Sequence, residues 1–100
     1  MRIGSTPTHT FKIPISTDIV KEVEITYCQA NNIVLQKYKS DCTLEGNTVK
    51  TTLSQEDTFL FDDKLNVEIQ VRVLDLSGAA FASNIMCVDA YRCLSKDVLA

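Results

Sequence analysis

A single histidine, His9, and no tryptophan occur in this chain of 100 residues. Any Ser–His–Asp or Cys–His arrangement would have to use that one base, next to Thr8 and Thr10 and close to the N-terminus. His9 reads instead as a residue that opens a strand. Glycine (three) and proline (two) are sparse, no internal repeat or low-complexity segment occurs, and neither GxGxxG nor GxxxxGK[ST] is present. There is no run of lysine and arginine, and the net charge is −3, so the chain lacks the basic stripe that displaces counterions from nucleic acid. No apolar stretch approaches the length of a membrane span, and Met-Arg-Ile-Gly-Ser-Thr-Pro-Thr has no apolar signal-peptide core. These absences set the expectation of a chain without nucleic-acid or membrane partners. It would be made in the cytosol and either stay there or travel inside an assembly.

Cys28, Cys42, Cys87 and Cys93 form no CxxC pair. Zinc sites need paired ligands at short spacing, so the first three read as small apolar residues in or near a core, reduced in the cytosol. The adjacent carboxylates Glu56 and Asp57, and Asp62 and Asp63, fall in turns, where Asp caps backbone N–H groups. They lack the alternating spacing of a calcium loop. The chain is expected to be non-enzymatic, with no catalytic residue, no metal and no cofactor.

What is present is strand pattern. In Asn66–Leu74, Val67, Ile69, Val71 and Val73 alternate with Glu68, Gln70 and Arg72. Successive side chains of a strand point to opposite faces, so this is a half-buried antiparallel strand, central to the fold. Lys21–Gln29 repeats the pattern with Val23, Ile25 and Tyr27 inward. Asn31-Asn32 fits a tight turn, and Ile33–Lys39 returns beside it. A second hairpin runs from Cys42–Glu45 through Gly46-Asn47, a type II′ or I′ turn, to Thr48–Leu53. His9–Ile15 alternates as well, but Pro14 lacks an N–H, so this is an edge strand or one that ends there. Ser16-Thr17-Asp18 could start a helical turn. Ser54-Gln-Glu-Asp57 is a capping box with room for about one turn of helix before Phe59-Leu60-Phe61, a hydrophobic plug where the chain crosses between sheets. Ala79–Tyr91 reads as one long last strand whose run Ile85-Met-Cys-Val88 is buried on both sides, either because a bulge or bend lets it serve two sheets or because it meets another subunit.

About seven strands joined by tight turns, with one crossing turn near 55–58, define an all-β antiparallel sandwich of immunoglobulin-like architecture; a small barrel is the alternative. Leu53–Asp57 followed by Phe59 and Phe61 resembles the E–F corner of immunoglobulin-like domains, without the corner tyrosine or the Cys–Trp–Cys framework. Residues 1–8 form an extended N-terminal arm, 9–94 the sandwich and 95–100 a short tail.

Several stretches resemble short proteins encoded among the tail and baseplate genes of phages and prophages of Gram-positive bacteria. They are Gly4-Ser-Thr-Pro-Thr-His-Thr-Phe11, Ile19-Val-Lys-Glu-Val23 with Thr26-Tyr27, Asp41-Cys-Thr-Leu-Glu-Gly-Asn-Thr48, Leu53-Ser-Gln-Glu-Asp-Thr58, Val67-Glu-Ile-Gln-Val-Arg-Val73 and Cys93-Leu-Ser-Lys-Asp-Val-Leu99. Asp75-Leu-Ser-Gly-Ala79 is also similar to part of the N-terminal sandwich domain of phage baseplate upper proteins. The resemblance implies a virion component of the tail region, made in the bacterial host cytoplasm. It would act through contacts with other phage structural proteins and as a homo-oligomer. The expected interface residues are Ile3, Thr6, Pro7 and Thr8 of the arm, ordering on a neighbour by strand addition, with Ile85, Met86, Val88 and Tyr91 of the last strand. The alternative is a carbohydrate-binding attachment module, its site on the loops at Asn31-Asn32, Asp62-Asp63 and Ser77-Gly78 at one end of the sandwich.

Overall fold

A computed structural model describes residues 1–100. In chain order the strands are β1 (Thr8–Lys12), β2 (Val20–Gln29), β3 (Asn32–Tyr38), β4 (Cys42–Glu45), β5 (Thr48–Thr52), β6 (Val67–Asp75), β7 (Ala80–Ala82) and β8 (Met86–Val88), with one short helix, α1 (Gln55–Thr58). They form two antiparallel sheets, ordered β1-β5-β4 and β3-β2-β6-β7, with β8 also paired to β6. The protein is an all-β sandwich.

The alternating stretch is central, as its pattern predicts. Strand β6 pairs with β2 on one edge and with β7 and β8 on the other. Its inward residues Val67, Ile69, Val71 and Val73 are all buried, as are Val23, Ile25 and Tyr27 of β2. Burying an aliphatic side chain of this size contributes about 1.5–3 kcal/mol, so these two strands hold most of the core of the larger sheet. Phe11, Val49 and Leu53 close the core from the smaller sheet.

The strand order corresponds to B-E-D and C′-C-F-G of an immunoglobulin-type sandwich, with β1 in the B position. The first strand of that fold, which pairs beside B, has no counterpart here. The chain crosses between sheets three times rather than once: through 13–19, through the 3₁₀ turn Lys39–Asp41, and through α1. The middle crossing escapes sequence reading because Lys-Ser-Asp carries no apolar mark.

Local chemistry explains most boundaries. Pro14 ends β1. Ser16 Oγ accepts from the Asp18 N–H (3.2 Å) and opens the 3₁₀ turn Thr17–Ile19. In α1 the capping box is complete: the Asp57 N–H donates to Ser54 Oγ (3.0 Å), and the Ser54 N–H donates to Asp57 Oδ2 (2.9 Å). Gly46 alone takes positive φ (60°) in its hairpin, as a type II′ turn requires. The first hairpin differs from expectation by one residue. Its central pair is Ala30-Asn31, with φ of 50° and 65°, because Gln29 pairs with Asn32 across a register shift at Tyr27/Cys28. That geometry is type I′, and a bulge is invisible to period counting.

Three further expectations are corrected. The last strand is broken. Its pairing with β6 slips by one residue between Ala82 and Met86, where Ser83 enters the ladder: its N–H donates to the Val71 carbonyl (2.8 Å), and its hydroxyl accepts from the Val71 N–H (3.0 Å). Met86 and Val88 turn inward, half-buried, while Ile85 and Cys87 are exposed, so the run is not buried on both faces and stays in one sheet. The plug consists of Phe61 and half-buried Phe59; Leu60 faces solvent. Residues 1–8 do not form a free arm. Ile3 is in the core, its N–H donates to the Tyr91 carbonyl (3.0 Å), the Tyr91 N–H donates to the Met1 carbonyl (2.8 Å), and the Gly4 N–H donates to Thr58 Oγ1 (2.9 Å). The polar composition of the stretch hid one apolar anchor.

Candidate functional site

The two long sides of the sandwich are unlike. On the β3–β4 side, Lys37 of β3 pairs with Asp57 of α1 at 2.8 Å, both side chains largely buried. Burial alone would raise the Asp57 carboxyl; hydrogen bonds from Lys37 and Ser54 overcome it and hold the group below the usual carboxylate range. Lys39 Nζ donates to the Val20 carbonyl (3.1 Å) nearby. On that side charged groups sit at the edge strands β3 and β4, with Asp57 of α1 against β3.

The β1–β7 side is open. Between these strands lies a cleft of about 500 Å³ lined chiefly by Phe11, Ile13, Val71, Val73, Phe81 and Met86, with Thr10, Lys12, Ala80 and Ala82 at its rim. Its size falls within the range of ordinary ligand pockets. The backbone along both rims is unpaired. The Leu53 N–H donates to the Pro7 carbonyl and the Ile13 N–H to the Asn47 carbonyl, so the odd-numbered residues of β1 face β5. Hydrogen-bonded positions alternate in an antiparallel ladder, so Thr8, Thr10 and Lys12 aim N–H and C=O away from β5, toward the open side. The same count on β7, anchored by Asp75 N–H to the Ala79 carbonyl and Ser83 N–H to the Val71 carbonyl, leaves Ala80 and Ala82 free on the opposite rim.

A polar pair ties the sheets together. Tyr27, fully buried, reaches from β2 to His9 of β1, hydroxyl to Nδ1 at 2.7 Å, with Phe61 edge-on to the Tyr27 ring. Burial pushes the Tyr27 hydroxyl well above its ordinary value, so it stays protonated; burial, then the N-terminal ammonium, lowers His9. A neutral ring accepting at Nδ1 satisfies both groups. His9 is thus an internal bridge rather than a free strand-start residue. Its neighbours in sequence give no sign of this, because Tyr27 is eighteen positions away.

The outer face of the larger sheet carries a second, more polar groove of about 560 Å³, lined by Glu24, Thr26, Gln36, Glu68, Gln70 and Arg72 among others, with exposed Ile33 and Ile85 also along it. Arg72 approaches Glu24 at 3.4 Å, and Gln36 donates to Thr26 Oγ1 (3.2 Å). The loops expected to share one end do not. Gln29 holds the Asp62 turn through its carboxamide, whereas Asp75–Ala79 lies at the far end of β6, where the Leu76 N–H donates to the Ile19 carbonyl. Nine residues of β6 separate the ends by about 30 Å. There, Asp75 Oδ1 accepts from Ser77 and Ala79, and the Ser77 hydroxyl leads in lowering its carboxyl. These are turn bonds.

The predicted interface residues do not form one surface. Ile3 is buried and Pro7 is paired through its carbonyl to Leu53; Thr6 is exposed between them. Thr8 begins the open edge of β1, its hydroxyl on Thr52 (2.7 Å). Met86 lines the cleft, while Val88 packs on the core. Ile85 and Tyr91 are exposed, the latter under the Arg2 guanidinium (5.3 Å). Sequence reading missed Thr10, Lys12 and Ala80–Ala82. Their one signal is Ala79-Ala-Phe-Ala82, a strand with little side chain to cover its edge. Cys28 and Cys42 are half-buried and Cys87 is exposed, so the last is not a core residue. Burial, then the Asp41 carboxylate, raises the Cys42 thiol and leaves it a poor nucleophile. No helix is long and apolar enough to cross a membrane.

Compared with protein-family models, with curated proteins and with solved structures, the chain matches none.

Proposed function

We propose that this chain is a non-enzymatic assembly module of a phage tail or baseplate, working through contacts with other structural proteins. The observation that carries the assembly reading is the open β1–β7 side, where an apolar cleft lies between two unpaired backbone edges, whereas the opposite side carries the Lys37–Asp57 ion pair. Unprotected edges of this kind are normally covered, twisted away or charged, and here only Lys12 brings a charge. Exposed Ile85, Tyr91 and Leu94 add apolar surface on the segment that follows β7. The tail location rests on the resemblance of the quoted stretches. The test is mass spectrometry of gradient-purified particles from a bacterial strain that carries the gene. Stoichiometric presence in tails is expected; particles that lack the chain would overturn the reading. Light scattering of the purified protein over a concentration series reads the expected homo-oligomer.

One observation favours a second reading, a carbohydrate-binding attachment module. The outer groove brings Glu24, Gln36, Glu68, Gln70 and Arg72 to one face, a set of donors and acceptors suited to hydroxyl groups. No aromatic ring lines that groove, which weighs against sugar stacking. A glycan array without binding at high protein concentration removes it.

A further inference from the structure

We infer that the open side accepts an extended segment of a different protein chain, added as a strand beside β1 with its apolar side chains in the cleft. This deepens the assembly reading and rests on it. In the immunoglobulin-type order the place beside β1 belongs to a first strand, and here that place is vacant. The stretch that leads into β1 does not take that place, because Ile3, Tyr91 and Thr58 hold it elsewhere.

Two features define the occupant. The free N–H and C=O groups of Thr8, Thr10 and Lys12 ask for an extended backbone, since only a strand presents partners at that spacing. The lining of Phe11, Ile13, Val71, Phe81 and Met86 asks for apolar side chains at alternate positions, pointing inward. Lys12 is the one charged group at the rim, so a carboxylate on the donor's outward side is matched there. The exposed apolar segment of a second copy, 94–100, fits poorly: Lys96 lies between Leu94 and Val98 and would drive an ammonium into the cleft, and Leu99 is already bonded to Gln55. The arm that sequence reading cast as a donor is already docked, which makes this chain the acceptor.

The test uses the full chain and a pooled set of blocked peptides, about eight residues long, alternating valine, leucine, isoleucine or phenylalanine with threonine or glutamate. Binding is read by fluorescence anisotropy and by amide hydrogen exchange. The inference expects peptide binding that slows exchange at Thr8, Thr10 and Lys12. It also expects affinity to fall at least tenfold when the peptide's backbone amides facing β1 are N-methylated, which leaves the side chains unchanged. Thr10→Pro should cause a similar loss without unfolding, because that N–H belongs to no internal ladder. Absence of binding across the pool overturns the inference, and so does binding indifferent to N-methylation, which would mark an apolar ligand pocket. Dimerisation lost in Thr10→Pro would overturn it in favour of a second copy. Peptide binding by a chain absent from particles would sink the tail reading and leave the strand site; presence in particles without peptide binding would do the reverse.

Discussion

The Tyr27–His9 bridge gives a prediction whose size and pH window both come from the structure. Tyr27 is wholly buried, and its hydroxyl has one partner, His9 Nδ1 at 2.7 Å. Tyr27→Phe keeps the ring and its edge contact with Phe61 while removing that bond. A net hydrogen bond is worth about 1 ± 0.5 kcal/mol, and His9, only half-buried, can turn its freed nitrogen toward water, so the orphan penalty is partial. The expected loss is about 1–1.5 kcal/mol, or a fall in Tm of roughly 4–10 °C for a domain of this size. In a double-mutant cycle with His9→Asn, the coupling should be about 0.5–1.5 kcal/mol. The sign of the pH effect follows from the lowered His9 value. The unfolded chain takes up this proton near pH 6.5, above the folded chain. Stability from this source is therefore complete above about pH 6.5 and is lost as pH falls toward the folded value. The N-terminal ammonium adds to the lowering of His9, and the Asp57 and Asp75 carboxyls, held below the usual carboxylate range by their hydrogen bonds, titrate on the acid side of this window. Urea unfolding of wild type and His9→Asn between pH 7.5 and 5 reads this directly. Zero coupling, or an unchanged pH slope in His9→Asn, would refute the bridge.

Three other substitutions test local geometry by thermal or urea unfolding. Ala30 is exposed and sits at φ 50°, so Ala30→Gly should relieve left-handed strain and stabilise by about 0.5–1 kcal/mol after the entropy of glycine is counted; a destabilised variant would contradict the type I′ turn. Ser54→Ala removes the cap and loosens the grip on Asp57, with an expected cost of about 0.5–2 kcal/mol; no loss would mean that α1 stands without its box. Gly4→Ala should cost about 1–3 kcal/mol, because φ is +84° and a Cβ would come within 3.0 Å of Cys93 Sγ and 3.2 Å of the Phe59 ring; a neutral result would mean that residues 1–5 are not docked as described.

The elements that sequence pattern locates well are those with a two-residue period and one buried face. Strands β2 and β6 are obvious because six β-branched residues and Tyr27 mark the inner side without interruption. Capping chemistry is equally local, so Ser54–Asp57 and Gly46-Asn47 appear where their residue types put them. Expectation fails where a distant partner decides. The break in the last strand depends on Ser83 inserting into the Val71 position of the ladder, and from sequence the stretch Ile85–Val88 reads only as apolar. The docking of residues 1–5 depends on Thr58 and Tyr91, which the polar composition of the stretch does not announce. The cleft is the least visible of all. Each of its side chains is an ordinary core residue in its own strand, and what makes a site of them is that no strand stands beside β1.

That vacancy also explains the distribution of charge across the two sides. A sandwich with seven or eight short strands has four edges to protect. On the β3–β4 side the chain half-buries Lys37 against Asp57 of α1, and exposed Lys39 donates to the Val20 carbonyl. On the β1–β7 side it places threonines and alanines, which neither fill the cleft nor repel an incoming strand. Those residues are poor blockers and good rims. Had solubility alone shaped this side, charge at Thr10 or Ala82 would have been the simplest protection. The chain instead leaves both ladders bare and keeps one lysine at the margin, an arrangement that protects nothing and suits a strand supplied by another chain.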